Sequence, residues 1–181
     1  MALAATALVQ MTIYFSKLHS DSVATLFVFS GTLVSYNVIK YASFIIKHKT
    51  FKKTLISIIV LTIFGIFLCC YLFFKLSFDA KIITIFFGIQ SLLYVIPFGK
   101  GKSNLRNLGG IKIYIVSFCW AGVTLLIPLM NAEVSIELDV VFKFIQRFIL
   151  TLILILIFEI NDLKYDDVRL KTVPQSIGIQ K

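Results

Sequence analysis

Glu159, Asp162 and Asp166 stand at i, i+3 and i+7, with Arg169 three residues further on. On a continuing helix these carboxylates share one face. Oxygen donors so spaced suit Mg²⁺, which keeps several waters and holds phosphate-bearing substrates. A second polar group, Asn37, Lys40 and Tyr41, also repeats at three and four residues. Both groups sit near the ends of long apolar runs. An ionisable side chain in hydrocarbon costs at least about 2.5–3.5 kcal/mol and is normally paired or lines a cavity. Simpler readings stand beside these. Lys40 can snorkel to a membrane interface, and residues 159–171 can be a solvated helix end. The second accounts for Lys164 and Asp167 better than for Glu159, which still belongs to the apolar run.

The elements that must position these groups are apolar helices. Of 181 residues, 59% are hydrophobic and 15% charged, against about 25% charged in an ordinary soluble domain. The apolar residues fall in blocks rather than alternating, which is the pattern of membrane spans. The sequence predicts one all-α domain, a polytopic transmembrane bundle over 1–181 with about six spans. They run roughly over 2–16, 23–46, 54–74, 82–98, 111–130 and 141–160, followed by a motif loop at 159–178. The opening "MALAATALVQ" lacks the basic n-region of a signal peptide and reads as part of the first span. Cys69, Cys70 and Cys119 lie inside apolar runs without metal-ligand spacing and read as packing residues. Gly65, Gly88 and Gly122 lie within spans, where small residues let helices approach closely.

Charge is distributed by face. Twelve basic residues follow the second, fourth and sixth spans: Lys47, Lys49, Lys52 and Lys53, then Lys100, Lys102, Arg106 and Lys112, then Lys164, Arg169, Lys171 and Lys181. On the other face Lys17, Lys75, Lys81, Lys143 and Arg147 are balanced by Asp21, Asp79, Glu133, Glu137 and Asp139. The positive-inside rule therefore places the basic loops and the N-terminus in the cytoplasm, at the inner membrane if the cell is bacterial. A net charge of +9 could suit nucleic acid, but cations placed as topology determinants point to no such partner. Both polar groups fall at the basic face, which suggests a shared cavity there. Lys100 and Arg106 would offset the charge of a diphosphate in it.

The run "FEINDLKYDDVRLKTVPQSIG" resembles the second aspartate-rich motif of the UbiA-type intramembrane prenyltransferases, with Glu159, Asp162 and Asp166 at the three acidic positions. The stretch "SLLYVIPFGKGKSNLRNLGGIKIYIVSFCWAG", which contains Tyr94, looks like that family's fourth helix, basic loop and fifth helix. The resemblance implies the first two-thirds of a nine-helix fold. It also implies transfer of a prenyl group from a prenyl diphosphate to a lipophilic acceptor. Mg²⁺ would be held by Glu159, Asp162 and Asp166. Asn37, Lys40, Tyr41, Tyr94, Lys100, Arg106 and Arg169 would face the diphosphate and substrate.

The chain departs from the pattern in its first motif. There the family has aspartates and this sequence has Val38, Tyr41 and Ile45 after Asn37. In the second motif Glu159 replaces an aspartate, and Lys171 stands where a glycine is expected. Six spans also leave the helices that close the family's cavity beyond Lys181 or missing. Lys40 then supplies a cation in place of the lost metal ligands, pairing with Asp162 or Glu159 or binding phosphate directly. Two other functions fit the same residues. One is a non-catalytic relative that binds a polyprenyl or quinone-like lipid or acts as a membrane partner. The other is a small channel or transporter fragment gated by Glu159 and Lys40.

Overall fold

The computed structural model describes residues 1–47, 53–95 and 111–162, and every described element is helical. In chain order these are α1 (Ala2–Phe15), α2 (Ser22–Lys47), α3 (Lys53–Lys75), α4 (Phe78–Val95) and α5 (Ile111–Ala121). A π-helical turn (Gly122–Leu126) joins α5 to α6 (Ile127–Asn131), and α7 (Leu138–Asp162) completes the set. Helices are what an apolar chain must form in lipid, where each backbone N–H and C=O needs a partner within its own segment.

Four stretches are long and apolar enough to cross a membrane: Ser22–Tyr41, Leu55–Lys75, Ile111–Asn131 and Leu138–Ile160. Together they mark a membrane protein. The expected count of six is thus supported only in part. α1 has 14 residues, about 21 Å of helix, against a hydrocarbon core of about 30 Å. α4 carries Asp79 and Lys81 in its opening turns, so its uncharged part runs only from 82 to 95.

The chain divides into two compact units, one of Met1–Thr84 with Val123–Ser135 and one of Ile85–Gly122 with Ile136–Lys181. In the first unit α2 and α3 pack antiparallel along one seam. A Cβ placed on Gly31 would lie 3.7 Å from the Cys69 sulfur, and one on Gly65 would lie 2.9 Å from Val34 Cγ2. One to two turns on, Asn37 Nδ2 donates to Thr62 Oγ1 at 2.9 Å. Residues 31, 34 and 37 thus face 69, 65 and 62, the stripe that a spacing of three to four residues lays down. Gly65 is small because Val34 occupies its space, as the sequence suggested. Among the described residues Gly88 has nothing within 4 Å of where its Cβ would be, so their packing does not account for it.

The same unit contains a junction of helix ends. Asp21 caps α2, its Oδ1 accepting from Ala24 N at 2.9 Å, the usual bond to the third helical N–H. Its other oxygen accepts from Asn131 Nδ2 at 2.7 Å. Asn131 Oδ1 in turn accepts from Ser77 N at 2.9 Å, and Ser77 Oγ faces both the Met130 carbonyl, at 2.9 Å, and the Ala80 N–H, at 3.3 Å. One asparagine side chain therefore ties together the start of α2, the start of α4 and the end of α6. Asn131→Ala is expected to lower stability by about 2 kcal/mol, since it removes a charge-assisted bond and strands a backbone N–H. Unfolding in detergent micelles measures this, and a loss below about 0.5 kcal/mol would show that the junction holds without it.

The π-helical turn has a local cause. Pro128 has no N–H for the carbonyl four residues back, that of Thr124. The Thr12 hydroxyl of α1 donates to this carbonyl at 2.9 Å, sharing its hydrogen with Leu8 O at 3.1 Å. Thr12 is only 2% exposed. A polar residue in an apolar helix is thereby matched to a backbone group that proline released.

In the second unit α5 lies against α4 and α7. Gln90 Nε2 of α4 donates to Ile115 O at 3.0 Å. Phe118 of α5 meets Phe87 and Phe144, with ring centroids 5.7 and 5.4 Å apart. The Thr151 hydroxyl of α7 lies within hydrogen-bond reach of Ser117 O at 3.3 Å. Gly122 sits directly against the Phe87 ring.

Candidate functional site

Asn37, Lys40 and Tyr41 belong to the first unit, and Glu159 and Asp162 to the second. The α2–α3 seam ends in an open groove. Past the Asn37–Thr62 bond the helices enclose a cavity of about 160 Å³, lined by Asn37, Val38, Tyr41, Ile58, Ile59, Thr62 and Ile63. Its walls are mostly aliphatic. Among the described residues, the polar members of its lining are Asn37, Thr62 and Tyr41. Thr62 Oγ1 donates to the Ile58 carbonyl at 2.7 Å, so toward Asn37 it must accept. This fixes the amide with its NH₂ end on Thr62.

The expected face of Asn37, Lys40 and Tyr41 is divided by the structure. Asn37 and Tyr41 line the groove and Lys40 does not. Lys40 is exposed, and its ammonium lies 5.4 Å from the centroid of the Tyr41 ring, within cation–π range. Sequence reasoning did not single out Ile58, Ile59, Thr62 or Ile63. The signal for Thr62 was present, as a hydroxyl residue inside the apolar run of α3.

In the second unit Glu159 is 9% exposed, and its Oε1 pairs with Lys112 Nζ at 2.8 Å. α5 begins at Ile111 and α7 ends at Asp162, so antiparallel packing brings the second residue of one to the last turn of the other. Within this unit the cation paired with Glu159 is thus Lys112, not one of the residues singled out from the sequence. Glu159 Oε2 is buried and has no hydrogen-bond partner among the described residues.

The implied Mg²⁺ fits Glu159 poorly. An ammonium already neutralises this carboxylate, and a divalent cation would have to sit beside it against like-charge repulsion. Among the described residues no three His, Cys, Asp or Glu side chains cluster. Asp162 is the last residue of α7. Asp166, Arg169, Lys100 and Arg106 lie outside the described residues. Tyr94 stands half-buried near the end of α4.

The sequence reading also passed over Arg147, counted there among the cations of the face opposite the basic loops. It lies in the third turn of α7 and is only 8% exposed. A cation nine residues into an apolar helix was the available signal.

No family model, no curated protein and no solved structure matches this chain.

Proposed function

We propose that this chain is a UbiA-like intramembrane protein that holds the chain of a prenyl or quinone-like lipid between α2 and α3. The observation that carries this reading is the groove itself. Its aliphatic walls, Val38, Ile58, Ile59 and Ile63, lie beside a small polar edge in a pair of apolar helices. At about 160 Å³ it is smaller than the roughly 300–1,000 Å³ of sites that engulf a drug-sized molecule. It suits a segment of chain next to the polar end rather than a whole lipid. The resemblance at residues 158–178 adds the substrate class. The basic loops and N-terminus would face the cytoplasm by the positive-inside rule.

Transfer of a prenyl group from a prenyl diphosphate to a lipophilic acceptor is the reaction the resemblance implies. With Glu159 tied to Lys112, Asp162 and Asp166 would be left to hold a metal.

Filling the groove tests the reading. Ile59→Trp adds an indole between α2 and α3 and is expected to lower prenyl-lipid binding by at least tenfold, about 1.4 kcal/mol, with the helical content unchanged. Binding equal to that of the parent protein would remove the groove from the account. The same preparation, incubated with radiolabelled prenyl diphosphate and a lipid extract with and without Mg²⁺, separates the two forms of the proposal. A magnesium-dependent product identifies an enzyme, and binding without turnover identifies a lipid carrier.

A further inference from the structure

We propose that the end of the first unit at which α2 and α4 begin is a rim seated in the headgroup zone of the bilayer, held there by paired aromatic and lysine side chains. Three helix ends carry the same order of residues. Tyr14 and Phe15 close α1, and Lys17 follows. Tyr71 and Phe74 lie in the last turns of α3, which ends on Lys75. Phe78 opens α4, with Lys81 three residues on. All five aromatic side chains are more than half exposed.

These ends stand at one level. The Asn131 junction ties the start of α2 to the start of α4 and the end of α6. Gln10 Nε2 donates to Thr25 Oγ1 at 2.9 Å, so antiparallel α1 brings Tyr14, four residues on, beside Asp21. In the α2–α3 seam position 69 meets position 31, which sets Phe74 and Lys75 within about one turn of Ser22.

Neither water nor hydrocarbon suits this combination. Left in water, each large aromatic forgoes about 1.5–3 kcal/mol of burial, while ammonium groups are costly in the hydrocarbon core. The headgroup zone accommodates both. Aromatic rings are enriched at that depth, and lysine stems run along apolar surface while the ammonium reaches the phosphates. The Lys75 ammonium, 4.7 Å from the centroid of the Tyr71 ring, shows the two side chains sharing one place. A second copy or another protein is a poorer occupant, because lysine is depleted from such interfaces. Asp79 and Glu133 are exposed at the same end and offset much of its positive charge, which fits zwitterionic headgroups.

The rim also sets the depth of the α2–α3 groove. Asn37 lies fifteen residues from Ser22 along α2, about 22 Å of helix, in a hydrocarbon core of about 30 Å. Asn37 and Thr62, which are bonded to each other, therefore belong to the leaflet opposite the rim.

Tryptophan quenching tests the seat. Phe74→Trp, Phe78→Trp and Phe67→Trp replace exposed aromatics, and each protein is placed in phosphatidylcholine nanodiscs, with the signal of native Trp120 subtracted. Quenching by a nitroxide on the lipid headgroup is compared with quenching by one at the middle of the acyl chain. At positions 74 and 78 the headgroup nitroxide should be the stronger quencher. At position 67, about 10 Å deeper along α3, the order should invert. Stronger quenching of position 74 or 78 from mid-chain would put the rim in hydrocarbon, and quenching by aqueous iodide alone would put it in water. Protection from all three quenchers would mean that protein covers it. Any of these results, or the same order at positions 67 and 74, overturns the inference. None of them bears on whether the groove holds a lipid, which Ile59→Trp tests separately.

Discussion

Glu159→Leu is expected to destabilise the protein by about 3 kcal/mol, the low end of the range for removing one partner of a buried ion pair. The substitution leaves Lys112, whose side chain is 14% exposed, as a buried ammonium without its carboxylate. Lys112→Met should cost a similar amount for the reciprocal reason. The double variant Lys112→Met/Glu159→Leu should return most of the loss, because taking both charges out together removes the desolvation penalty along with the attraction. The pair is replaceable in this way because one of its oxygens, Oε2, is buried and has no partner among the described residues. Denaturant unfolding in micelles of the single and double variants completes the cycle. Additive losses would show that the two residues contribute separately, and the seam would then owe nothing to their pairing.

Gly122→Ala is the second large effect. Its Cβ would lie 1.8 Å from Phe87 Cζ and 2.2 Å from Cε2, distances that no van der Waals contact allows. Phe87 is 2% exposed and meets the Phe118 ring at a tilt, so the ring has little room to give. Overpacking of this kind costs about 1–3 kcal/mol, and the upper half of that range is expected. Phe87→Leu shortens the offending side chain. The double variant Gly122→Ala/Phe87→Leu should therefore be more stable than the sum of the single losses requires. A harmless Gly122→Ala would mean that the ring moves freely.

The helices were legible because lipid leaves the backbone little choice. The apolar runs read at 23–46, 54–74, 111–130 and 141–160 became helices at Ser22–Lys47, Lys53–Lys75, Ile111–Asn131 and Leu138–Asp162. The fourth run starts earlier than its apolar residues do, since Ser77 caps it and Asp79 favours the positive end of the helix dipole. The first run, read at 2–16, became the helix Ala2–Phe15, too short by length alone to be counted among the four membrane-long stretches.

The pairings were harder to read. Periodicity put Asn37, Lys40 and Tyr41 on one face, but only the α2–α3 packing decided that Thr62 meets Asn37. It also left Lys40 outside the groove. Glu159 stood out from the sequence as an ionisable group in the wrong place, and that judgement was sound. Its partner was missed because Lys112 had been counted among the loop cations that set topology. Pro128 carried a warning too. A proline within an apolar helix frees a carbonyl, and a hydroxyl elsewhere must answer it, as Thr12 does.

Site mapping of a photoreactive prenyl lipid on the membrane-embedded protein bears on the central claim most directly. Adducts concentrated on residues 37–41 and 58–63, and displaced by unlabelled prenyl lipid, are the expected result. Adducts scattered over exposed side chains such as Phe64, Phe67 and Phe158, and indifferent to competitor, would mean that the groove between α2 and α3 holds no lipid of its own.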